Sequence, residues 1–482
     1  MKRFPLDWGL RSTEPEHPRE ECGVFATASV ANVSIDVFYA LRVLQHRGQE
    51  SAGIAVHGGE GVKCIKGMGL AHQALKPDEV QGLRGDRGIG HVRYSTVGSS
   101  NIGNAQPFVV STNYGDIALA HNGEIVNSDK IMEELKKKGW AFITSSDSEI
   151  IVRLLANEIS STGDPVRSIK NVMGLIQGAY SMTILADNRV FAVRDPFGFR
   201  PLCVGRTKTG YAAASESVVF DTLGGEFIRD VEPGEIIELL PGEIRSSKTG
   251  LAKGRAHCMF EWVYIARADS VIEQKLVYEV RRRIGERLAK EQPVQADVVV
   301  PIPDSGRSHA MGYAEGSGIR YSEGLMKNRY VERTFIMPEQ SERTTGVMLK
   351  LNPLKSIIKD KRVVLVDDSI VRGTTMRKIV QLVRNAGAKE VHVRVGSPPI
   401  IAPCYFGIDM KTREQFAATG RTVEEIGKMI TADSLGYISI EGLVDAIGLP
   451  AGDLCLACLT EEYPLAVPGE KVRYQKKLDS FA

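Results

Sequence analysis

Four apolar residues, Val363-Val364-Leu365-Val366, run straight into two adjacent carboxylates, Asp367 and Asp368, and then into Ser369-Ile370-Val371-Arg372-Gly373-Thr374-Thr375. An apolar run of this length reads as a strand buried on both faces, the pattern of a parallel sheet. Residues 376–385 carry a helical pattern, so the unit is strand, loop, helix. In open α/β sheets ligands sit off the carboxyl ends of strands. A loop rich in Gly, Ser and Thr ahead of a helix offers amides and hydroxyls to a phosphate. Two acids beside that cradle would repel the phosphate itself but would grip sugar hydroxyls, so the loop fits a phosphorylated ribose.

At 482 residues the chain is too long for one core and predicts two to four domains. Its net charge of +2 gives no global drive toward nucleic acid or an anionic membrane. No apolar run is long enough to span a bilayer. Residues 1–21 mix charges with Pro5, Pro15 and Pro18 and have no apolar core, so they do not read as a secretory signal, and a cytoplasmic location is expected. The seven cysteines are Cys22, Cys64, Cys203, Cys258, Cys404, Cys455 and Cys458. An odd number in a reducing compartment points to catalytic or metal roles before disulfides.

The halves differ in texture. From residue 22 to about 251 there are many short β-like runs with Gly-rich turns, such as residues 181–185, 189–193 and 235–240. From about residue 255, helices alternate with short apolar strands, the signature of βαβ units. Leu276, Val280, Ile284 and Leu288 lie four apart and mark one helix face. A Gly-, Ser- and Lys-rich linker at 241–256 is the expected boundary. A second strand-to-loop element, Val298-Val299-Val300-Pro301-Ile302-Pro303-Asp304-Ser305-Gly306-Arg307, brings a further hydroxyl, amides and a guanidinium.

The Asp367-Asp368 loop closely resembles the phosphoribosyl pyrophosphate (PRPP) loop of type I phosphoribosyltransferases. That resemblance implies PRPP binding by Ser305, Gly306, Lys327, Asp367, Asp368, Ser369, Arg372, Gly373, Thr374 and Thr375. It implies one Mg²⁺ held at Ser305, Asp367 and Asp368, directly or through water. Residues 326–350, rich in Lys, Arg and Glu, are expected to be a flap that closes over PRPP, with Lys327 the cation for the leaving pyrophosphate.

In the first half, Cys22 sits in Glu21-Cys22-Gly23-Val24-Phe25. Downstream come Gly90-His91-Val92-Arg93-Tyr94-Ser95-Thr96, His121-Asn122-Gly123-Glu124 and Ser145-Ser146-Asp147-Ser148-Glu149. Together these resemble the class II glutamine amidotransferases, members of the N-terminal nucleophile (Ntn) hydrolases. Such enzymes use the free α-amino group of an N-terminal cysteine, with a pKa of about 8, as the base for its own thiol. The resemblance therefore implies a propeptide, residues 1–21, cut before Cys22. It makes Cys22 the nucleophile, with Asn122 and Gly123 forming the oxyanion hole. Arg93, Thr96 and Asp147 bind glutamine, and Tyr94 and Arg47 are candidates for coupling the sites.

A glutaminase joined to a PRPP-binding transferase resembles the family that makes 5-phosphoribosylamine from PRPP, glutamine and water at the start of purine synthesis. His46-Arg47-Gly48-Gln49-Glu50-Ser51 and Arg194-Asp195-Pro196-Phe197-Gly198 are further markers. The expected architecture is a propeptide (1–21), an αββα Ntn glutaminase sandwich (22–252), a type I phosphoribosyltransferase α/β domain with a parallel sheet (253–470) and a tail (471–482). Ammonia is expected to pass between the sites inside the protein. AMP, GMP and GDP are expected inhibitors, and a homodimer or homotetramer is the expected assembly, with neither nucleic acid nor membrane as a partner. Ala268 stands where that family commonly has proline, and Glu332 where it has glycine.

Cys455-Leu456-Ala457-Cys458 has the spacing of a metal or redox pair, and on the residues alone zinc and a redox role both stay open. Some members of the family carry a [4Fe–4S] cluster on four cysteines. The resemblance places it on Cys258, Cys404, Cys455 and Cys458, with Cys64 and Cys203 as packing residues. Two alternatives remain. Another class II amidotransferase would ignore PRPP, and a PRPP-binding regulator would bind it without turnover.

Overall fold

The computed structural model describes residues 22–59, 61–94, 101–328, 351–467 and 471–472. The expected propeptide, Thr96, Glu332 and most of the expected flap lie outside these residues.

The first half is two antiparallel sheets stacked face to face. One has seven strands with Gly23–Ser29 near its centre, paired with Gly210–Ala214 on one side and Arg87–Arg93 on the other. The second has six, with Asp116–Ile125 paired to Gly178–Ala186. The period-2 alternation of side chains sorts each strand into two faces. Val24, Ala26 and Ala28 meet Ala118, Ala120, Leu185 and Ala192 between the sheets. Phe25 faces the other way, onto Val37 and Leu41 of the helix Ser34–Val43. Ile117 and Leu119 face the helices Asp147–Thr162 and Pro165–Leu175. Alanine recurs in the inter-sheet layer and lets the sheets approach, and the order helix, sheet, sheet, helix is the expected αββα sandwich.

The second half is built on four parallel strands in the order Val298–Pro301, Arg362–Asp367, Glu390–Val395, Ser434–Tyr437. Val299, Val364 and Val366 pack on one side against the helices Val277–Glu291 and Gly306–Ser317. Val298, Val363 and Leu365 pack on the other against Met376, Ile379, Val380 and Val383 of the helix Thr374–Asn385. Burial on both faces explains why the sequence reads as unbroken apolar runs rather than alternation. The face predicted from Leu276 needs one correction. Leu276 precedes the helix and is 38% exposed, and Val277 takes the buried position ahead of Val280, Ile284 and Leu288. Among the described residues, no helix is long and apolar enough to cross a membrane.

Candidate active sites

Cys22 immediately precedes the strand Gly23–Ser29. The alternation that turns Val24, Ala26 and Ala28 inward places Cys22 on the same inter-sheet side. Its Sγ donates to the Tyr94 carbonyl at 3.4 Å. Asn122, in register with Ser181, follows the same parity as Ala118 and Ala120. Asn122 is 1% exposed, and neither atom of its side-chain amide has a hydrogen-bond partner among the described residues. A buried unpaired polar group costs about 1–3 kcal/mol, so an amide left this way is poised for a ligand. Gly123 has φ +144°, and a Cβ there would lie 1.9 Å from the Ala179 carbonyl oxygen, so no side chain fits.

Cys22, Arg93, Tyr94, Gly123 and Asp147 line one pocket, together with Gln106, His121, Ser146 and Ser148. Arg93 is buried, with Nη1 3.4 Å from Glu50 Oε2. Asp147 is the first residue of its helix, and Ser146 is the cap, accepting from the Ser148 N–H at 3.3 Å. Asp147 Oδ2 accepts from the Ile125 N–H at 3.0 Å, which ties the helix start to the strand that carries Asn122 and Gly123. A buried network beneath the pocket was not legible in the sequence. Gln106 Oε1 accepts from the His121 N–H at 2.7 Å, and its amide donates to Ser148 Oγ at 3.1 Å. Ser148 Oγ also lies 3.0 Å from His121 Nδ1. Gln106 stands before Pro107 in an irregular stretch, and nothing in its spacing signals this role.

Arg47 is fully buried between the halves. Its Nε donates to the Cys22 carbonyl at 3.3 Å, Nη1 to Glu216 Oε1 at 2.6 Å, and Nη2 to Glu261 Oε1 at 2.7 Å. Burial alone would raise the Glu216 carboxyl pKa, but His46 and Arg47 beside it hold it well below the usual range. Glu261 also lies 3.5 Å from Arg200 Nη1. This array of charges crosses from one half to the other, and only Arg47 in it was singled out from the sequence.

In the second half the two predicted loops meet at the carboxyl ends of neighbouring parallel strands. The Ile302 N–H donates to the Val366 carbonyl at 2.9 Å. Gly306 runs so close that a Cβ would fall 2.5 Å from the same oxygen. Asp367 and Asp368 are buried at 1% and 0% exposure. Asp367 Oδ1 accepts from the Asp368 N–H at 3.0 Å, and Asp368 Oδ1 from Ser369 Oγ at 2.6 Å. Asp368 Oδ2 is buried with no partner among the described residues. Burial and the neighbouring Asp368 push the Asp367 pKa well above the ordinary carboxylate range. Two buried acids with an oxygen to spare fit hydroxyl donors or a hard cation, so the donor set suits Mg²⁺. Gly373 has φ +81° ahead of the helix Thr374–Asn385, whose start has no side-chain cap, leaving the first-turn amides of Thr374 and Thr375 to an anion. Arg372 is partly buried in the same loop. Lys327 Nζ lies 2.8 Å from Asp304 Oδ2, next to Ser305. Both side chains are nearly half exposed, so this pair is weak and easily exchanged.

The other cysteines also come together. His257–Cys258 pairs in parallel with Leu454–Cys455, setting Cys258 opposite Cys455. Cys258, Cys404, Cys455 and Cys458 line one cavity with Phe199, Arg200, Phe406 and Tyr463. The Phe406 N–H donates to Cys404 Sγ at 3.4 Å. Burial raises the Cys458 pKa well above the ordinary thiol value, and the three other sulfurs add to it. Among the described residues, no three His, Cys, Asp or Glu side chains close on a point where a single ion would sit. Cys203 is buried, while Cys64 is only partly so.

Residues 91–222 match the glutamine amidotransferase domain family, and residues 269–395 match the phosphoribosyl transferase domain family. The chain is 53% identical to amidophosphoribosyltransferase of Methanocaldococcus jannaschii over 468 residues, covering 94% of this chain and 99% of the relative. It is 43% identical to that of Bacillus subtilis, covering 93% and 95%. The solved structure of the Bacillus subtilis glutamine PRPP amidotransferase complexed with ADP and GMP superposes with a TM-score of 0.88 at 42% identity, covering 94% of this chain and 99% of that one. A second structure, described as the allosteric regulatory enzyme of purine biosynthesis, also gives 0.88 at 42% identity, covering 94% and 98%. On this full-length similarity, and with both halves matching their families, the chain belongs to the amidophosphoribosyltransferases.

Proposed function

We propose that Cys22 hydrolyses glutamine and that the ammonia released attacks PRPP in the second half, giving 5-phosphoribosylamine, glutamate and pyrophosphate, the first committed step of purine synthesis. The observation that carries this reading is the convergence of Cys22, Arg93, Gly123 and Asp147 on one pocket. Removal of residues 1–21 frees the Cys22 amine, which takes the thiol proton and later gives it to the departing ammonia. Sγ attacks the carboxamide carbon while the Asn122 side chain and the Gly123 N–H hold the oxyanion, and water then releases glutamate. Arg93 takes the α-carboxylate as a planar bidentate partner, Asp147 takes the α-ammonium, and Thr96 adds a hydrogen bond to the substrate. Arg47, with Tyr94, links this pocket to the second half.

There, Asp367 and Asp368 hold the ribose hydroxyls, and Ser369, Arg372, Gly373, Thr374 and Thr375 hold its 5-phosphate. Ser305, Gly306 and Lys327 hold the pyrophosphate as ammonia displaces it at the anomeric carbon. The protein's part is alignment and charge stabilisation. Ser305, Asp367 and Asp368 would hold Mg²⁺, which would neutralise charge on the pyrophosphate. Cys258, Cys404, Cys455 and Cys458, which line one cavity, would hold a [4Fe–4S] cluster, the four-thiolate group that the family resemblance implies. We also assign the domains as 22–252 and 253–470, a cytoplasmic location, a homo-oligomer, and control by purine nucleotides, as the nucleotide complex of the Bacillus subtilis relative supports.

The test is glutamate release and phosphoribosylamine formation by matured protein, with PRPP and either glutamine or ammonia. Cys22→Ala is expected to lose the glutamine reaction and keep the ammonia reaction. If both persist unchanged, Cys22 is not the nucleophile.

A further inference from the structure

Gly407 belongs to the second half, yet it packs on the strand that carries Asn122 and Gly123. A Cβ at Gly407 would lie 3.2 Å from both Cα and the carbonyl carbon of Gly123 and 3.1 Å from Arg200 Nη2. Gly407 also has φ +102°, so a side chain there would press on Gly123 and strain its own backbone. Lys411 touches the same strand, its Nζ donating to Glu124 Oε1 at 2.7 Å. Arg200, a fully buried residue of the first half, holds this segment in place. Its Nε and Nη2 donate to the Phe406 carbonyl at 2.9 and 2.6 Å. Phe406 stacks on Phe199 with ring centroids 4.3 Å apart. The Arg200 carbonyl accepts from Ser181 Oγ at 3.3 Å, and Ser181 is the register partner of Asn122. The Phe406–Gly407 peptide is thus fixed to the first half through Arg200 and lies against Gly123.

An oxyanion donor contributes only when it is preorganised at the place where charge develops. Gly123 has no side chain to limit its backbone, so its peptide is held by what packs around it. Strand pairing with Tyr180 fixes it along the sheet, and Gly407 meets its Cα and carbonyl carbon. We propose that the Phe406–Gly407 peptide is the back wall of the oxyanion hole, and that Arg200, which holds it there, is a positioning residue for glutamine hydrolysis. The inference rests on the reading of Asn122 and Gly123 as the oxyanion hole. It makes a segment of the phosphoribosyltransferase half part of the glutaminase machinery.

The test compares full-length, matured wild type with Arg200→Met, Gly407→Ala and the double variant. Methionine cannot donate to the Phe406 carbonyl, and alanine keeps Arg200 but presses on Gly123. Each change is expected to lower glutamine-dependent kcat roughly tenfold with glutamine KM little changed, less than outright loss of an oxyanion donor. Ammonia-dependent kcat should stay within about twofold of wild type, which reports an intact fold and PRPP site. The decisive readout is inhibition by the γ-aldehyde of glutamate. Cys22 Sγ bonds to the aldehyde carbon, the C–O π bond opens, and the thiol proton ends on the oxygen, which sits where the oxyanion forms. The Ki of this aldehyde should rise by the factor by which kcat/KM falls, while the Ki of glutamate stays put. Because both changes act on one seat, the double variant should be about as slow as the slower single variant. The proposal is overturned by an unchanged glutamine-dependent kcat in either folded variant, by parallel loss of both reactions in every folded variant, by an unmoved aldehyde Ki, or by losses that multiply in the double variant. Should Arg200→Met fail to fold, Gly407→Ala decides alone. Wild type without glutaminase activity would instead remove the functional reading beneath the inference.

Discussion

Arg47 Nη2 lies 2.7 Å from Glu261 Oε1, and both side chains are buried. Because Arg47 also holds the Cys22 carbonyl, the backbone of the proposed nucleophile is one side chain away from the phosphoribosyltransferase half. Breaking a buried pair by removing one partner typically costs about 3–5 kcal/mol. Arg47 keeps Glu216, so Glu261→Ala is expected near the lower end, about 3 kcal/mol, seen as a lower urea midpoint. Its glutamine-dependent turnover should fall further than its ammonia-dependent turnover. Equal losses would reduce the pair to a structural clasp.

The unpartnered amide of Asn122 gives a separable prediction. Asn122→Ala should lower glutamine-dependent kcat by about 10²–10³, the usual effect of losing one oxyanion donor, with KM little changed. No hydrogen bond of the described residues is broken by that change, so the Tm should hold within a few degrees. Unchanged kcat would take Asn122 out of the oxyanion hole.

Asp367→Asn should weaken PRPP use with glutamine and with ammonia alike, read as a raised PRPP KM for both donors. The same change removes a buried carboxylate crowded by Asp368, so the protein without ligands should become more stable at neutral pH. Unaltered PRPP kinetics would refute the grip on the ribose.

The parallel-sheet loops were legible because their chemistry is local. A buried strand, two acids and a turn lie within residues 363–375, and the fold adds only the neighbouring strand that brings Ser305 and Gly306 alongside. The proposed glutaminase pocket was expected only through resemblance, since Cys22, Arg93, Gly123 and Asp147 are far apart in the chain: antiparallel pairing sets the Cys22 strand beside that of Arg93, and the Asp147–Ile125 hydrogen bond brings in the helix. Glu261, Arg200 and Lys411 were missed for a related reason. A charged residue in a sequence reads as solvated surface, and only tertiary packing shows that Glu261 and Arg200 are sealed between the halves and that Lys411 reaches across to Glu124. Leu276 failed differently, because a helix boundary can fall one residue from where the periodicity begins.

His91 is fully buried beside the pocket that Cys22 lines, with Nε2 donating to the His121 carbonyl at 3.1 Å. Burial, helped by nearby Arg93 and His121, holds its pKa down to about 3 from the ordinary 6.5. As pH falls below about 6.5 the unfolded chain takes up this proton first. Stability is therefore intact above 6.5 and is lost progressively toward pH 3, by about 1.4 kcal/mol for each pH unit inside that window. His91→Gln should flatten the fall in Tm between pH 7 and pH 5. An equally steep fall would assign the acid sensitivity to other groups, among them His121, whose pKa is also lowered by burial.

Cys258, Cys404, Cys455 and Cys458 join the strand pair His257–Cys258 and Leu454–Cys455 to the segment that reaches Gly123 and Glu124. Protein purified without oxygen should contain about four irons and four labile sulfides per chain, as a [4Fe–4S] cluster requires. Stoichiometric zinc without sulfide would end the cluster assignment. Because Cys455 and Cys458 are buried and burial raises the Cys458 pKa well above the ordinary thiol value, removing the metal should loosen the cavity that the four cysteines line. Cys458→Ser should therefore lower the Tm and speed proteolysis, with cleavage beginning near residues 404–411. Fully stable, cluster-free protein would show that the cavity closes without metal and that the cysteines are packing residues after all.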